Sequence, residues 1–197
     1  MLTKKQQLTK RIFDLSLTLL IIPFVIIPVL LFLLIATVVT GKNGLFSQIR
    51  IGQFGKYFRL YKIRSLKKEN HEDIFAIRKN ETVFGSWLRR SKLDELPQLW
   101  NVLVGDMSWV GPRPDVPGYA DMLKGNDREL LLLKPGITGP ATLKYKNEDK
   151  LLLKQPNPTE YNDTVIWPDK VRLNIAYAED WSIIKDVVYI VKSVFGN

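Results

Sequence analysis

Apolar residues fall into three patterns along the chain. The first is a continuous block: residues 15–40 carry no charge, and residues 19–39 are almost wholly Leu, Ile, Val and Phe. At 1.5 Å rise per residue, twenty such residues make a helix about 30 Å long, the thickness of a bilayer's hydrocarbon core. Pro23 and Pro28 interrupt the block. Each removes a backbone donor and clashes with the preceding turn, so a bend or break is expected near the middle.

The second pattern is alternation. Residues 45–51 and 57–64 are rich in β-branched and aromatic side chains and flank Gly52-Gln53-Phe54-Gly55, which predicts a β-hairpin with a glycine turn. The third is helical spacing. A helical stretch is expected around residues 81–90, and Leu93, Leu96, Leu99 or Trp100, and Leu103 repeat at helical intervals after it. Near the C-terminus, Trp181, Ile184, Val187, Val188, Val191, Val194 and Phe195 form one stripe, with Lys185, Tyr189, Lys192 and Ser193 opposite. Such an amphipathic helix either packs on a core or lies on a membrane surface. These elements predict an α/β protein, mainly α with a small β-hairpin, in one compact unit behind the apolar segment.

Charge sharpens the picture. The net charge is +9, but residues 1–68 hold twelve Lys and Arg against Asp14 alone, so the remainder of the chain is slightly acidic. Basic residues beside an apolar segment favour anionic headgroups or phosphate substrates over a nucleic-acid face, for which no recognition motif is present. Lys4, Lys5, Lys10 and Arg11 precede the segment, while Lys42, Arg50, Lys56, Arg59 and Lys62 follow it. Basic flanks on both sides suit a segment that enters, turns at a proline and returns to the same face. A cleavable signal peptide is not expected, because no small-residue cleavage site follows the apolar core. Arg11 and Asp14, three residues apart, can meet on one helical face as a headgroup-level pair.

Candidate chemistry is concentrated in the middle of the chain. With no cysteine and a single histidine, His71, thiolate and histidine metal sites and a cysteine nucleophile are excluded. Arg59, Lys62 and Arg64 on the hairpin either hold phosphate oxygens or snorkel at the lipid surface. Ser91 and Asp94 have the spacing of a capping pair, which would set Asp94 and Glu95 near a helix N-terminus. The dipole there would keep Asp94 ionised, available as a nucleophile or metal ligand or simply as a helix-terminal acid. Gly111-Pro112-Arg113-Pro114 presents a guanidinium with little backbone freedom, suited to a phosphate or to a salt bridge. Residues 105–114 and 134–140, both dense in glycine and proline, read as shaped loops whose glycines could let backbone approach a ligand.

Taken in order, the blocks Lys10-Arg11-Ile12-Phe13-Asp14, Gln48-Ile49-Arg50-Ile51-Gly52, Tyr61-Lys62-Ile63-Arg64-Ser65, residues 93–102, residues 105–114 and residues 134–139 resemble the bacterial sugar transferases, the monotopic phosphoglycosyl transferases. The resemblance runs along nearly the whole chain and matches the family's minimal catalytic form. It implies a re-entrant helix-break-helix anchor over residues 1–40, with the break at Pro28 or Pro23, and a cytoplasmic catalytic domain over residues 41–197 with interfacial amphipathic helices. It further implies a ping-pong transfer in which Asp94 takes a sugar phosphate from a UDP-sugar, releases UMP and passes the group to polyprenyl phosphate at the start of glycan assembly. Glu95 would assist by orienting a metal or accepting a proton. Arg89, Arg113, Lys62, Arg64 and Pro112 would line the substrate site, and Mg²⁺, held by Asp94, would neutralise the diphosphate.

The implied setting is the cytoplasmic face of a bacterial inner membrane, among its lipids, with a homodimer as a candidate assembly. The alternative is a non-catalytic membrane-anchored scaffold of a polysaccharide assembly complex. The chain departs from the common family pattern after Gly139, reading Pro140-Ala141-Thr142-Leu143, and has an extra proline, Pro23, ahead of Pro28.

Overall fold

A computed structural model describes residues 1–67 and 80–196; the lone histidine, His71, lies outside them. The apolar block belongs to one helix, α1 (Lys4–Thr40), 37 residues long with Pro23 and Pro28 inside it. Thr3 caps its start in a reciprocal arrangement with Gln6, and Gly41 ends it in the left-handed conformation (φ 69°). Its apolar side chains are turned outward: Leu20, Phe24, Ile27 and Val38 are all exposed, Phe24 by 76% and Val38 by 83%. A surface of that size has no place in water, and the helix is long and apolar enough to enter a bilayer.

The two flanks of α1 are the exceptions: Lys10, Asp14 and Thr18 at its start and Ala36 near its end are buried against the rest of the protein. The expected pairing of Arg11 with Asp14 does not form. Arg11 donates to the carbonyls of Val102 (2.6 Å) and Leu103 (2.9 Å), and Asp14 accepts from the backbone amide of Trp109 (3.1 Å). Both prefer backbone groups that would otherwise be buried unpaired, which outweighs an exposed ion pair on one helix face. Thr18 accepts from the Trp109 indole at 2.9 Å, and Lys10 reaches Asp186 at 2.6 Å.

The hairpin forms as expected from β1 (Leu45–Ile51) and β2 (Tyr57–Ile63), antiparallel, with Leu45 opposite Ile63 and Ile51 opposite Tyr57. Its turn places Phe54 (φ 61°) and Gly55 (φ 73°) in the left-handed region. Then come α2 (Val83–Arg90), capped by the Thr82 hydroxyl, and α3 (Gln98–Val104), ended by Gly105 at φ 97°. Arg11 bonds the last carbonyls of α3, where a cation also offsets the helix dipole.

The two glycine-rich stretches are not pure loops. Each contributes a short strand, β3 (Ser108–Val110) and β4 (Gly136–Thr138), and the two pair in parallel. Gly111, Gly136 and Gly139 let the two backbones cross closely. A methyl group on Gly111 would sit 2.3 Å from the Lys134 carbonyl, and one on Gly136 would sit 2.1 Å from the Gly111 nitrogen.

Short helices α4 (Pro140–Lys144), α5 (Glu148–Leu152) and α6 (Pro158–Tyr161) lead to α7 (Trp167–Glu179) and α8 (Ile183–Phe195). In α8 the apolar stripe faces outward: Ile184, Val188, Val191, Val194 and Phe195 are exposed. Its inner face is instead Asp186, Tyr189 and Ile190, packed against Tyr177 and Val110. The protein is thus a mainly helical α/β fold with two small sheets and one long apolar N-terminal helix.

Candidate active site

Asp94 owes its position to a tight turn. Lys92 adopts a left-handed conformation (φ 56°), which stops α2 and starts the single 3-10 turn Leu93–Glu95. Leu93 packs against the buried cluster that Ala36 of α1 forms with Ile63 and Leu88. The carboxylate of Asp94 therefore follows directly on a residue held against the apolar helix.

The expected Ser91 cap is absent: the Ser91 hydroxyl donates back to the carbonyls of Trp87 (2.8 Å) and Leu88 (3.1 Å), closing α2. Nor does Asp94 sit at the N-terminus of α3, which begins at Gln98 after Pro97. A helix dipole therefore does not set the acidity of Asp94, although the group is still mostly ionised at neutral pH. Burial dominates and pushes the Asp94 carboxyl up to about 6, against the pull of Lys62, Arg89 and Arg113. Asp94 makes no ion pair or hydrogen bond among the described residues.

Glu95 has the opposite surroundings. One oxygen, Oε1, accepts from Lys62 Nζ at 2.8 Å and from Arg113 Nη2 at 3.0 Å. Burial alone would raise its pKa, but the two cations outweigh burial and hold it at about 2. Lys62 arrives from β2 and Arg113 from the segment after β3, so Glu95 ties two separate backbone elements together beside Asp94.

Lys62, Arg64, Arg89, Asp94, Glu95, Pro112 and Arg113 all line one cleft of about 690 Å³. Arg89 leans on Glu81 at 3.6 Å. Arg59, grouped with Lys62 and Arg64 from sequence, lies one strand position out of phase with them, and strand alternation sends it to the opposite face. Asn101, buried in α3, fixes β2 beside the cleft: its side chain accepts from the Tyr61 amide (3.2 Å) and donates to the Arg59 carbonyl (2.8 Å).

The cleft extends beyond the residues picked out from sequence. Arg50, Lys92, Asp115, Thr142, Lys170 and Asn174 also line it. Arg50 lay within a recognised block without being singled out. Lys170 and Asn174 come from α7, some 75 positions after Asp94, and no spacing rule could have connected them. Lys170 bonds both oxygens of Glu148 at 2.7 Å. Asp115 is pushed up to about 6 by burial, against the pull of Lys170, Arg50 and Arg113.

No group of three or more metal-ligating side chains occurs among the described residues. Asp94 does offer a carboxylate with no bond of its own. Mg²⁺ commonly rests on one or two carboxylates plus the phosphates of a substrate, so this donor set fits a cation that shares its coordination with a diphosphate.

A cation-lined cleft in which the Asp94 carboxylate is left uncommitted, in a protein with an exposed apolar helix, suits a membrane-associated enzyme acting on phosphate groups. Residues 5–196 match the family model for bacterial sugar transferases, and the chain belongs to that family. It is accordingly an enzyme of the phosphoglycosyl transferase class.

It is 30% identical over 180 residues to the uncharacterized sugar transferase EpsL of Bacillus subtilis, covering 90% of this chain and 81% of that one. It is 33% identical over 150 residues to a putative undecaprenyl-phosphate N-acetylgalactosaminyl 1-phosphate transferase of the same organism, covering 72% of this chain and 80% of that one. Identity is 34% over 195 residues to a UDP-glucose:undecaprenyl-phosphate glucose-1-phosphate transferase of Klebsiella pneumoniae. That match covers 94% of this chain but 39% of the Klebsiella protein.

Proposed function

We propose that this protein transfers a sugar 1-phosphate from a UDP-sugar to polyprenyl phosphate at the cytoplasmic face of a bacterial inner membrane, through a phosphosugar held covalently on Asp94. The observation that carries this reading is the contrast between the two neighbouring carboxylates: Glu95 is consumed by Lys62 and Arg113, while Asp94 stands buried and uncommitted among the same cations.

In the first half-reaction an Asp94 oxygen attacks the phosphorus that bears the sugar. The bond from that phosphorus to the bridging oxygen breaks, and UMP leaves with the electron pair. A phosphate oxygen of the polyprenyl acceptor then attacks the same phosphorus, and the Asp94 carboxylate departs, leaving a polyprenyl diphosphate sugar. A covalent relay lets a water-soluble donor and a lipid acceptor use one site in turn.

Lys62, Arg89 and Arg113 would bind the diphosphate oxygens and stabilise charge as it shifts to the leaving group. Glu95, at a pKa of about 2, is too weak a base to take a proton. Its part is to hold Lys62 and Arg113 in place. Asp94 is the residue that would hold Mg²⁺, whose charge would offset that of the diphosphate.

The anchor is read as re-entrant. Its leading flank, through Arg11, Asp14 and Thr18, and its trailing flank, through Phe32, Leu33 and Ala36, both pack on the same small domain, whereas a straight 37-residue rod would reach about 55 Å. The prolines lie between these contacts, where the side chains are exposed, so they are the natural bend. The outward apolar stripe of α8 supports an interfacial setting for that helix.

The test is release of UMP from UDP-sugars by protein in micelles without any lipid acceptor, followed by isolation of labelled enzyme. Wild type should give both products, and Asp94→Asn neither. Labelled Asp94→Asn enzyme would falsify the nucleophile assignment. A scaffold with no turnover would release no UMP from any donor.

A further inference from the structure

Three polar atoms in the described residues are buried without a hydrogen-bond partner and also belong to side chains lining the cleft: Arg50 Nε, Thr142 Oγ1 and Asn174 Oδ1. Asn174 is 3% exposed, and its amide nitrogen is already used, donating to the Lys170 carbonyl at 2.8 Å. Arg50 likewise spends its other nitrogens on the Pro114 carbonyl (3.2 Å) and Gln48 (2.8 Å). Buried polar atoms left unpaired are uncommon, and several gathered in one cleft point to a ligand that completes them.

The chemistry of these atoms identifies the class of ligand. Asn174 Oδ1 can only accept, Arg50 Nε can only donate, and the Thr142 hydroxyl can do both. A phosphate offers acceptors alone and would leave Asn174 unpaired. The local charge also differs from that around Asp94, since Lys170 is neutralised by Glu148 and Arg50 is opposed by Asp115. This part of the cleft is therefore close to neutral and bears both donors and acceptors, as a ring of hydroxyl groups requires.

We propose that Arg50, Asp115, Thr142 and Asn174 form the subsite that binds the hexose ring of the donor and discriminates between sugars. The proposal rests on the transferase reading above. Arg50 bonds the Pro114 carbonyl and Arg113, the preceding residue, bonds Glu95 next to Asp94, which sets this subsite beside the nucleophile in the same cleft. The ring attached to the attacked phosphorus must lie next to Asp94, whereas the nucleoside stands one phosphate further away. The subsite is built partly from α4, directly after Gly139, so a substitution in its first turn would change the lining that faces the ring.

The experiment compares wild type with Thr142→Val, which removes one hydroxyl at constant shape, and Asp115→Asn, which keeps size and removes charge. UMP release is measured with UDP-glucose, UDP-galactose and their 2-acetamido counterparts, alongside inhibition by UMP. With the preferred donor, kcat/KM should fall about tenfold through KM, the size of one lost hydrogen bond. The preference between that donor and its epimer should shrink by a similar factor, with UMP inhibition unchanged within about twofold.

Equal weakening of UMP and of every donor would place the nucleoside here and overturn the proposal, as would an epimer preference left intact in both variants. A melting curve matching wild type certifies each variant; if Thr142→Val unfolds, Asp115→Asn carries the comparison alone. A wild-type protein that released UMP from no donor would sink the transferase reading instead. Equilibrium binding of the same UDP-sugars against UMP would then judge the subsite separately, by the same contrast between variants and wild type.

Discussion

Asp94 and Glu95 are adjacent in the chain, yet their carboxyls are driven in opposite directions, to about 6 and about 2. Both are buried. The difference lies in contact: Lys62 and Arg113 bond Glu95 directly, whereas they reach Asp94 only through space, too weakly to overcome its burial. One turn of chain thus supplies a permanently charged clamp and a carboxylate that titrates near neutrality, the pattern expected where a nucleophile must exchange its charge for a covalent bond.

The pH dependence of the first half-reaction follows. On the proposed mechanism Asp94 must be ionised to attack, and burial raises its pKa to about 6. Below that value kcat/KM for UMP release should fall about tenfold per pH unit, levelling off above pH 7. An ordinary carboxylate pKa near 4 in the rate profile would mean that the cleft solvates Asp94 far better than its burial indicates.

Glu95→Gln should act twice. Lys62 and Arg113 lose the oxygen that orients them, and UMP release should drop on the order of tenfold to a hundredfold. The negative charge of Glu95 also raises the Asp94 pKa, so its removal should shift the acid limb of the rate profile to lower pH. Loss of rate with an unmoved acid limb would show that the two carboxylates are not coupled.

Far from the cleft, Asp186 is fully buried and accepts from Lys10 (2.6 Å), Tyr177 (2.5 Å) and the Trp181 indole (3.1 Å). Asp186→Ala would leave a buried ammonium and a buried hydroxyl unpaired, at a cost of about 3–5 kcal/mol. Thermal unfolding in micelles should show a large drop in Tm. Because this cluster ties α1 to α8, limited proteolysis should find α8 released first.

The course of the anchor can be read by labelling, since the chain has no cysteine of its own. In Lys5→Cys and Asn43→Cys, both thiols should react with an impermeant maleimide from the cytoplasmic side alone. Reaction from opposite sides would establish a helix that crosses the bilayer.

Sequence alone determined whatever depends on near neighbours. The apolar run of α1, the hairpin on either side of Gly52 and Gly55, and α2 after Thr82 all follow from local periodicity and turn chemistry, and the ordered motifs pointed to the family. The cleft was legible in part, because Lys62, Arg64, Asp94, Glu95, Pro112 and Arg113 lie in those motifs, Arg89 shortly ahead of one, and all of them converge.

Tertiary structure alone decided which partners those side chains take. Arg11 chose carbonyls 91 and 92 positions away over Asp14, Lys10 found Asp186 at a separation of 176, and the stripe of α8 turned outward because Asp186 and Tyr189 turned in. The ionisation of Asp94 belongs to the same class. Local pattern suggested a helix terminus and a stable charge, but the pKa of a carboxyl is set by how much water and which cations remain around it, and those come from every part of the folded chain.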